Sequence, residues 1–300
     1  MCGIVGAVGL ANCGDTLLDA LRRLEYRGYD SAGIVTHNGN GFEMTRCVGK
    51  LTSLDSLIRK KPLGGDIGIG HTRWATHGGV SEANAHPHIA AERVVIVHNG
   101  IIENHRQLRA RLEQAGHLFS SDTDSEVLAH LFVEAFDAGL SPTEATKSVL
   151  AAIEGAYAFA ALVRDHSDML IVARNASPLA IGLGDDASFI GSDAVALAHL
   201  TRRVVYLKDN DFAFVTADGA AVFDADGVPV NREEVIVAAS QGLVDKGGYR
   251  HYMEKEIHEQ PDAIAHSLAA MTGGDGRIVA PMSRDQLRDS LSFLGSRKSS

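Results

Sequence analysis

The sequence predicts an α+β fold, because helical and strand-like patterns occupy separate parts of the chain. Leucines at positions 17, 18, 21 and 24 recur on one helical face, and apolar residues at 51, 54, 57 and 58 do the same. From 156 to 223 the pattern changes to short runs of β-forming residues. With 45% hydrophobic residues in a chain of 300, we expect two packed sheets with helices outside them.

The first hundred residues alternate predicted strands with predicted helices. Two of these strands run into polar residues, after position 70 and after position 97, so we expect each strand to end there in a loop. Polar residues gathered at strand ends are a common location for functional sites. The predicted strands cover 4–8, 30–35, 42–48, 67–70 and 94–97, and the predicted helices cover 17–28 and 51–58.

The remaining two-thirds of the chain begins with helices and continues with strands. Ser141 and Glu144 have the spacing of a capping box at a helix start. Glycines from 241 to 248 predict a linker, and a helical pattern interrupted at Pro261 follows it. The predicted helices cover 108–112, 125–138, 141–153, 249–271 and 287–294, and the predicted strands cover 118–119, 157–163, 169–173, 179–183, 204–207 and 212–215.

The composition is typical of a cytoplasmic enzyme. A formal net charge of −10 argues against nucleic acid or an anionic membrane as the main partner. Three cysteines without a CxxC pair suggest neither a disulfide framework nor a zinc ribbon. The apolar segment 3–11 has no basic segment before it, and no apolar run is long enough to span a bilayer.

The start of the chain offers a nucleophile. An initiator Met1 followed by a small residue is normally removed, which would leave Cys2 with both a thiol and a free α-amine. The reference pKa of an α-amine is about 7.7–8.0, so much of it is free base near neutral pH and can take the thiol proton. Taken alone, a cysteine at this position is usually an ordinary residue before a glycine-rich strand.

Other chemistries fit the sequence less well. Its glycines form neither a dinucleotide fingerprint nor a phosphate-binding loop. Four histidines, at 71, 77, 86 and 88, suggest a metal, but their spacing matches no common zinc pattern. We interpret them as loop histidines that support a site, and we expect no metal and no cofactor.

Five sequence blocks stand out, in this order: 1–6 (MCGIVG), 24–33 (LEYRGYDSAG), 71–78 (HTRWATHG), 98–104 (HNGIIEN) and 121–126 (SDTDSE). Together they resemble the glutaminase half of the glutamine–fructose-6-phosphate aminotransferases. The resemblance extends over residues 1 to about 240, and residues 249–257 resemble the start of that family's second half. It implies a four-layer αββα fold of the N-terminal-nucleophile hydrolases.

The resemblance assigns a catalytic role to three of these residues. Cys2 would attack the side-chain amide of L-glutamine and form a γ-glutamyl thioester, releasing ammonia before water regenerates the thiol. The Asn99 amide and the Gly100 backbone N–H would form the oxyanion hole. Read singly, Asn99-Gly100 is a turn signal.

The resemblance also implies how glutamine is held. The Arg73 guanidinium would bind the α-carboxylate of glutamine, and Asp124 its α-ammonium group. Trp74, Thr76 and His77, with the glycine after them, would line or close the site as a mobile loop. Without the resemblance, Arg73 reads as a surface charge and Asp124 as a helix cap.

Arg27 has two interpretations. It either supports the amine end of Cys2 or forms a salt bridge within the turn from Tyr26 to Asp30.

We expect three segments: a glutamine amidotransferase domain at 1–240, a linker at 241–248 and the truncated, loosely packed start of a sugar-isomerase domain at 249–300. In the family, fructose 6-phosphate is bound by the sugar-isomerase domain, most of which this chain lacks, and the full-length protein can form a homodimer. By itself the chain would then turn over glutamine but not aminate the sugar.

Two alternatives remain open at this stage. The purine amidotransferase that uses phosphoribosyl pyrophosphate is the nearest enzyme, although the 71–77 and 249–257 blocks favour the aminosugar family. The other alternative is a glutamine-binding module that is inactive without the missing isomerase half.

Overall fold

A computed structural model describes residues 2–237, 249 and 252–271. Contacts within the chain separate two compact units, Met1–Val244 and Asp245–Ser300. The predicted linker at 241–248 and the predicted helix near 287–294 lie outside the described residues. The candidate site lies in the first unit.

The described part of the first unit contains two antiparallel sheets. One has eight strands in the order β14-β11-β9-β10-β1-β4-β2-β3, and the other has six in the order β13-β12-β8-β7-β6-β5. The strands are β1 (Gly3–Val8), β2 (Ser31–His37), β3 (Phe42–Val48), β4 (Ile67–Arg73), β5 (His88–Ala90), β6 (Val94–Ile102), β7 (Gly155–Val163), β8 (His166–Asn175), β9 (Ala180–Leu183), β10 (Ser188–Gly191), β11 (Arg203–Tyr206), β12 (Phe212–Thr216), β13 (Gly219–Phe223) and β14 (Glu234–Ile236).

The sheets lie between two groups of helices, and each interface buries its own apolar cluster. Leu17 and Leu54 belong to the cluster between the helices and the eight-stranded sheet, Val97 to the cluster between the sheets, and Phe132 to the cluster under the other helices. The αββα, α+β fold expected from the sequence is confirmed. The helices are α1 (Cys13–Arg22), α2 (Leu51–Lys60) and α6 (Ala194–Leu197) on one side, and α3 (His105–Gln114), α4 (Glu126–Asp137) and α5 (Pro142–Ala152) on the other.

Local signals fix several element boundaries. Helix α5 begins with a complete capping box, in which the Ser141 hydroxyl accepts the Glu144 N–H and the Glu144 carboxylate accepts the Ser141 N–H. Helix α1 ends at Arg22, earlier than expected, and a short 3₁₀ helix follows at Glu25–Arg27. Leu24 is fully buried although it lies beyond the end of α1. The spacing of the buried leucines therefore could not show that the α-helix ends at Arg22.

Both polar strand ends are longer than expected. Strand β4 continues to Arg73 because His71 pairs with β1 and Arg73 with β2, and β6 continues to Ile102 because β7 pairs with it along its whole length. His71 is therefore a strand residue and not a loop residue. The polar side chains at these ends are buried but find partners within the site, described below.

Three further expectations differ from the structure. Residues 118–119 form no strand, and the Leu118 side chain is 89% exposed. In the second unit, helix α7 (Tyr252–Met271) continues through Pro261, where proline removes one hydrogen bond and the rest of the helix persists. The short elements β5, β10, β13, β14 and α6 were not predicted, because three to five residues carry too little periodicity.

Candidate active site

The alternation of side chains along three strands brings the candidate residues together. In β1 and β4, Ile4 and Ile69 face the second sheet, and in β6 Val97 faces back toward the first. Side chains two residues apart on a strand share a face. Cys2, two positions before Ile4, together with His71, Arg73 and Asn99, therefore extends the same inter-sheet layer to the end of the strands.

A cavity of about 440 Å³ opens at this end of the inter-sheet layer. Its volume lies within the range of small-molecule sites. Nine of the ten residues to which the resemblance gave a role line it, along with seven others, and Gly78 is the exception. The lining residues are Cys2, Arg27, Arg73, Trp74, Thr76, His77, His86, His98, Asn99, Gly100, Ile101, Thr123, Asp124, Ser125, Ser177 and Pro178.

The Cys2 thiol lies against the backbone of Trp74. The Trp74 N–H donates to Sγ at 3.2 Å, and the thiol reaches the Trp74 carbonyl oxygen at 3.5 Å. Burial raises the pKa of the Cys2 thiol, although the Trp74 hydrogen bond and the charge of Arg73 oppose the shift. A thiol held in this way is protonated near neutral pH and requires a base to become a nucleophile.

Arg27 connects the backbone of Cys2 to the eight-stranded sheet. Its guanidinium forms an ion pair with Asp193 at 2.7 Å and donates to the Cys2 carbonyl oxygen at 3.4 Å. This ion pair joins Arg27 to a residue outside the turn from Tyr26 to Asp30, and the Asp30 carboxylate accepts the Ala75 N–H. Asp193 lies 166 residues away from Arg27, and no local pattern in the sequence indicated this pair.

Arg73 is almost completely buried and holds the loop that follows it. Its guanidinium donates to the backbone carbonyl oxygens of His77, Gly78 and Gly79. One Asp30 carboxylate oxygen lies 3.9 Å from the guanidinium. The loop is therefore held by side chains, chiefly Arg73, and not by secondary structure.

Within this loop, Trp74 and His77 have different surroundings. The Trp74 side chain is 55% exposed, and its ring lies close enough to Gly28 to meet a Cβ built there at 3.0 Å. The His77 ring lies edge-on to the His105 ring at a centroid distance of 5.1 Å. Thr76, which lies between these two residues in the sequence, also lines the cavity.

Asn99 and Gly100 lie within β6 and not in a turn. The Asn99 side-chain nitrogen donates to the Cys2 carbonyl oxygen at 3.2 Å, and Asn99 Oδ1 lies 2.9 Å from His71 Nε2. Gly100 has φ 130°, and a Cβ built there would lie 2.0 Å from the Ala156 carbonyl oxygen. Only glycine fits this position.

Asp124 is buried beside the same end of β6. Its carboxylate accepts the Ile102 N–H at 2.8 Å, which places it beside β6. The segment before it is held by Glu126, which accepts hydrogen bonds from the backbone N–H and hydroxyl groups of Ser120 and Ser121. Burial would raise the pKa of Glu126, but hydrogen bonds from its neighbours outweigh burial and lower it to about 2.

A group of buried histidines lies behind Asn99. The His71 ring stacks on His86 at 4.2 Å, His86 meets His88 at 4.4 Å, and His98 Nδ1 lies 2.8 Å from the Ser125 hydroxyl. Burial lowers the pKa of His71 and of His88 to about 3. Within the described residues, no three histidine, cysteine or carboxylate side chains are arranged to hold a metal ion.

The sequence did not point to several residues that shape the site. Ser177 and Pro178 reach the cavity from the β8–β9 connection, and Asp193 acts through Arg27. These residues are distant in the chain, so only the folded structure brings them in. The period-two pattern that passes from Ile69 to His71 is the one signal that could have extended β4 into the site.

Comparison with known proteins identifies related sequences. The glutamine amidotransferase domain family matches residues 71–199. A glutamine–fructose-6-phosphate aminotransferase [isomerizing] of Mesorhizobium japonicum is 51% identical over 90% of this chain and 44% of its own length. The corresponding protein of Gluconobacter oxydans is 48% identical over 93% of this chain and 46% of its length. The chain thus spans a little under half the length of these relatives.

Solved structures share the fold. The glutamine phosphoribosylpyrophosphate amidotransferase of Bacillus subtilis superimposes with a TM-score of 0.65 and 26% identity, over 74% of this chain and 49% of that one. A glutamine aminotransferase class-II domain protein from Silicibacter pomeroyi matches in fold alone, with a TM-score of 0.51 and 17% identity over 74% of this chain and 98% of its own.

No helix in the described part of the chain is both long and apolar enough to cross a membrane.

Proposed function

Since this chain belongs to the class II glutamine amidotransferase family represented by the glutamine–fructose-6-phosphate aminotransferases, we propose that it hydrolyses L-glutamine to glutamate and ammonia. One observation carries the proposal: a single cavity is lined by Cys2, by Asn99 and Gly100, and by the buried charged residues Arg73 and Asp124. Such a cavity offers a group for each part of glutamine.

The nucleophile of the proposed reaction is Cys2, after removal of Met1. Because burial raises the pKa of the thiol, the free α-amine of Cys2 serves as the base that takes its proton. Sγ then forms a bond to the side-chain carbonyl carbon of glutamine, and the proton goes to the departing nitrogen as ammonia leaves. Water next attacks the thioester carbonyl carbon, which releases glutamate and returns the proton to the thiol.

Asn99 and Gly100 stabilise the negative oxygen of each tetrahedral intermediate. Both lie in the β6 segment beside the thiol, and Asn99 already donates to the Cys2 carbonyl oxygen. A donor built into a sheet costs no reorganisation during the reaction. We expect each of these two donors to contribute about 10²–10³ in rate.

Arg73 and Asp124 hold the α-carboxylate and α-ammonium groups of glutamine. Each is almost completely buried and lines the cavity, so each favours a ligand group of opposite charge. Together they select a free amino acid over an internal residue of a peptide. Trp74, Thr76 and His77 cover the bound substrate, and Arg27 fixes the position of Cys2 through its carbonyl oxygen.

The wider assignment follows the relatives' names. We assign residues 1–240 to the glutaminase domain, 241–248 to a linker and 249–300 to the start of a sugar-isomerase domain. The ammonia would be consumed by fructose 6-phosphate bound to the remainder of that domain, in a full-length protein that forms a homodimer. Three free cysteines and the acidic composition support a cytoplasmic location.

The deciding experiment measures glutamate and ammonia release from L-glutamine by the purified chain, with intact mass to verify loss of Met1. We expect turnover in the wild type and none in Cys2→Ala. Cys13→Ala is the matched control, because Cys13 is also a free cysteine but is buried in α1 away from the cavity. Equal turnover in Cys2→Ala would refute the proposal.

A glutamine-binding module without turnover is the second candidate. It is favoured by one observation: the loop 74–79, which would close the site, depends on Arg73 and Asp30 for most of its contacts. Isothermal titration with L-glutamine separates the two functions. Binding without turnover by a chain that has lost Met1 would establish the module and exclude the hydrolase.

A further inference from the structure

His71 occupies a position that the proposed mechanism does not use. It lies at the end of β4, fully buried, directly behind Asn99. Its Nε2 atom is 2.9 Å from Asn99 Oδ1 and 3.0 Å from the backbone carbonyl oxygen of His98. The Nε2 atom therefore lies within hydrogen-bond distance of two oxygen atoms of β6, one from the His98 backbone and one from the Asn99 side chain.

The backbone carbonyl determines where the proton is. A carbonyl oxygen can only accept a hydrogen bond, so Nε2 of His71 must carry the hydrogen that it shares between its two neighbours. The Asn99 atom facing Nε2 must then be an acceptor as well, which identifies it as Oδ1. The orientation of the Asn99 amide follows from the histidine and need not be assumed.

The other end of the amide gives the same answer independently. The Asn99 nitrogen lies 3.2 Å from the carbonyl oxygen of Cys2, again an atom that only accepts. A flipped amide would place two donors together at His71 and two acceptors together at Cys2. Only one of the two amide orientations satisfies both contacts.

The remaining nitrogen of the ring fits this tautomer. His71 Nδ1 is buried and has no hydrogen-bond partner among the described protein atoms. The ring itself stacks on the His86 ring at a centroid distance of 4.2 Å and an interplanar angle of 20°. A buried N–H without an acceptor is more costly than a buried lone pair on a ring nitrogen. Burial also lowers the pKa of His71 to about 3, which keeps the ring neutral.

We propose that His71 is the positioning residue of the oxyanion hole: its Nε2–H holds Asn99 Oδ1 so that the amide N–H₂ group faces Cys2 and the reacting carbonyl oxygen. This inference rests on the proposed function. The Asn99 nitrogen has two hydrogens, so it donates one to the Cys2 carbonyl oxygen and keeps the other for the substrate. A flipped amide would instead present an oxygen to the developing negative charge.

The test compares two replacements of His71 in the purified chain. His71→Leu removes the donor and fills a similar volume, and we expect kcat for glutamine hydrolysis to fall about 10–10³-fold while KM changes less than about threefold. His71→Gln keeps an N–H donor at a similar reach, and we expect it to retain kcat within about tenfold of the wild type. A role in packing alone would not separate kcat from KM, nor favour Gln over Leu.

Double variants and a matched histidine isolate the coupling. If His71 acts only through Asn99, then His71→Leu combined with Asn99→Ala should be no slower than Asn99→Ala alone. His88→Leu is the control: His88 is equally buried and stands in the same histidine group, but it bonds to Thr123 at 3.0 Å and does not contact Asn99. The fold-reduction in kcat caused by His88→Leu should multiply with the fold-reduction caused by Asn99→Ala.

The outcomes separate this inference from the proposed function. A wild type without turnover overturns both. A wild type that turns over, with an unchanged kcat in His71→Leu or with multiplying effects in the double variant, overturns the inference alone. If His71→Leu does not fold, ¹⁵N NMR of the wild type decides, since a hydrogen on Nε2 supports the inference and one on Nδ1 refutes it.

Discussion

Strands β4 and β6 supply the two halves of the candidate site, one from each sheet, and they are held in different ways. Strand β6 stays paired with β7 beyond Asn99 and Gly100 to Ile102. Strand β4 ends at Arg73, and the loop after it is held by side chains. We expect this difference to separate two roles: Asn99 and Gly100 of β6 set the rate of the chemistry, while Arg73 and the loop that follows it set how glutamine is bound and released.

The largest expected effect contrasts one glycine from each side. Gly100→Ala forces a Cβ against the Ala156 carbonyl oxygen in a backbone conformation that alanine rarely adopts. We expect it to cost about 3 kcal/mol or more of unfolding free energy and to abolish glutamine turnover. Gly79→Ala, in the loop, meets nothing within 4 Å and should fold normally. Urea denaturation and turnover check both variants, and a stable, active Gly100→Ala would break the comparison.

The second prediction separates kcat from KM. Asn99→Ala should lower kcat about 10²–10³-fold with little change in KM, because the donor acts on charge that develops only in the transition state. Arg73→Lys should raise KM at least about tenfold with a smaller change in kcat, because lysine cannot reproduce the planar fork that binds a carboxylate and holds the loop. Steady-state kinetics with L-glutamine measure both, and a reversed pattern would reverse the roles of the two strands.

A third, smaller effect concerns the segment that carries Asp124. Glu126→Gln replaces an oxygen that accepts hydrogen bonds from serine groups with an amide nitrogen that cannot accept them. We expect a loss of about 1–3 kcal/mol in unfolding free energy and a rise in KM of several-fold. Glu144→Gln is the matched control, since Glu144 binds Ser141 in an exposed capping box away from the cavity. A similar rise in KM in Glu144→Gln would show that the rise in Glu126→Gln comes from general destabilisation of the fold and not from the segment that carries Asp124.

The last prediction tests the histidines between the two strands. The folded-state pKa of His71 and of His88 is lowered to about 3, while an unfolded histidine has a pKa of about 6.5. Between these values only the unfolded chain binds the proton, so stability is retained above about pH 6.5 and decreases as pH falls, by about 1.4 kcal/mol per pH unit for each histidine.

Urea denaturation at pH 7, 6 and 5 measures this dependence. In His71→Gln the slope should be shallower by one proton, because the variant has lost one of the titrating groups. A slope that stays the same would mean that His71 binds its proton equally well in the folded and unfolded chains, contrary to the lowered pKa described above.

The alternation of apolar residues was sufficient to predict most long elements. Strand β3 was predicted to the residue, and α4 and α5 to within one or two residues at each end. The strand ends carrying His71 and Asn99 were predicted too short, because polar side chains in a strand normally mark its end. Here each polar group is buried beside a partner from the opposite sheet, which a local pattern cannot show.

The candidate site was anticipated better than the contacts that support it. All residues given a role except Gly78 line one cavity, and they were identified from blocks of sequence and not from periodicity. The supporting contacts join distant positions, such as Arg27 with Asp193 and His71 with Asn99. Nothing in either local sequence indicates the partner, so these pairs emerge only from the packed sheets.

The contact between the Cys2 thiol and the Trp74 peptide has a practical consequence. Since the same peptide begins the exposed loop 74–79, any displacement of that loop removes a hydrogen bond from the sulfur and changes its exposure to solvent. The rate at which a small alkylating reagent modifies Cys2 is therefore a reporter of loop position. The alkylation rate of Cys2 can therefore follow ligand-induced closure of the loop, with no probe group introduced into the protein beforehand.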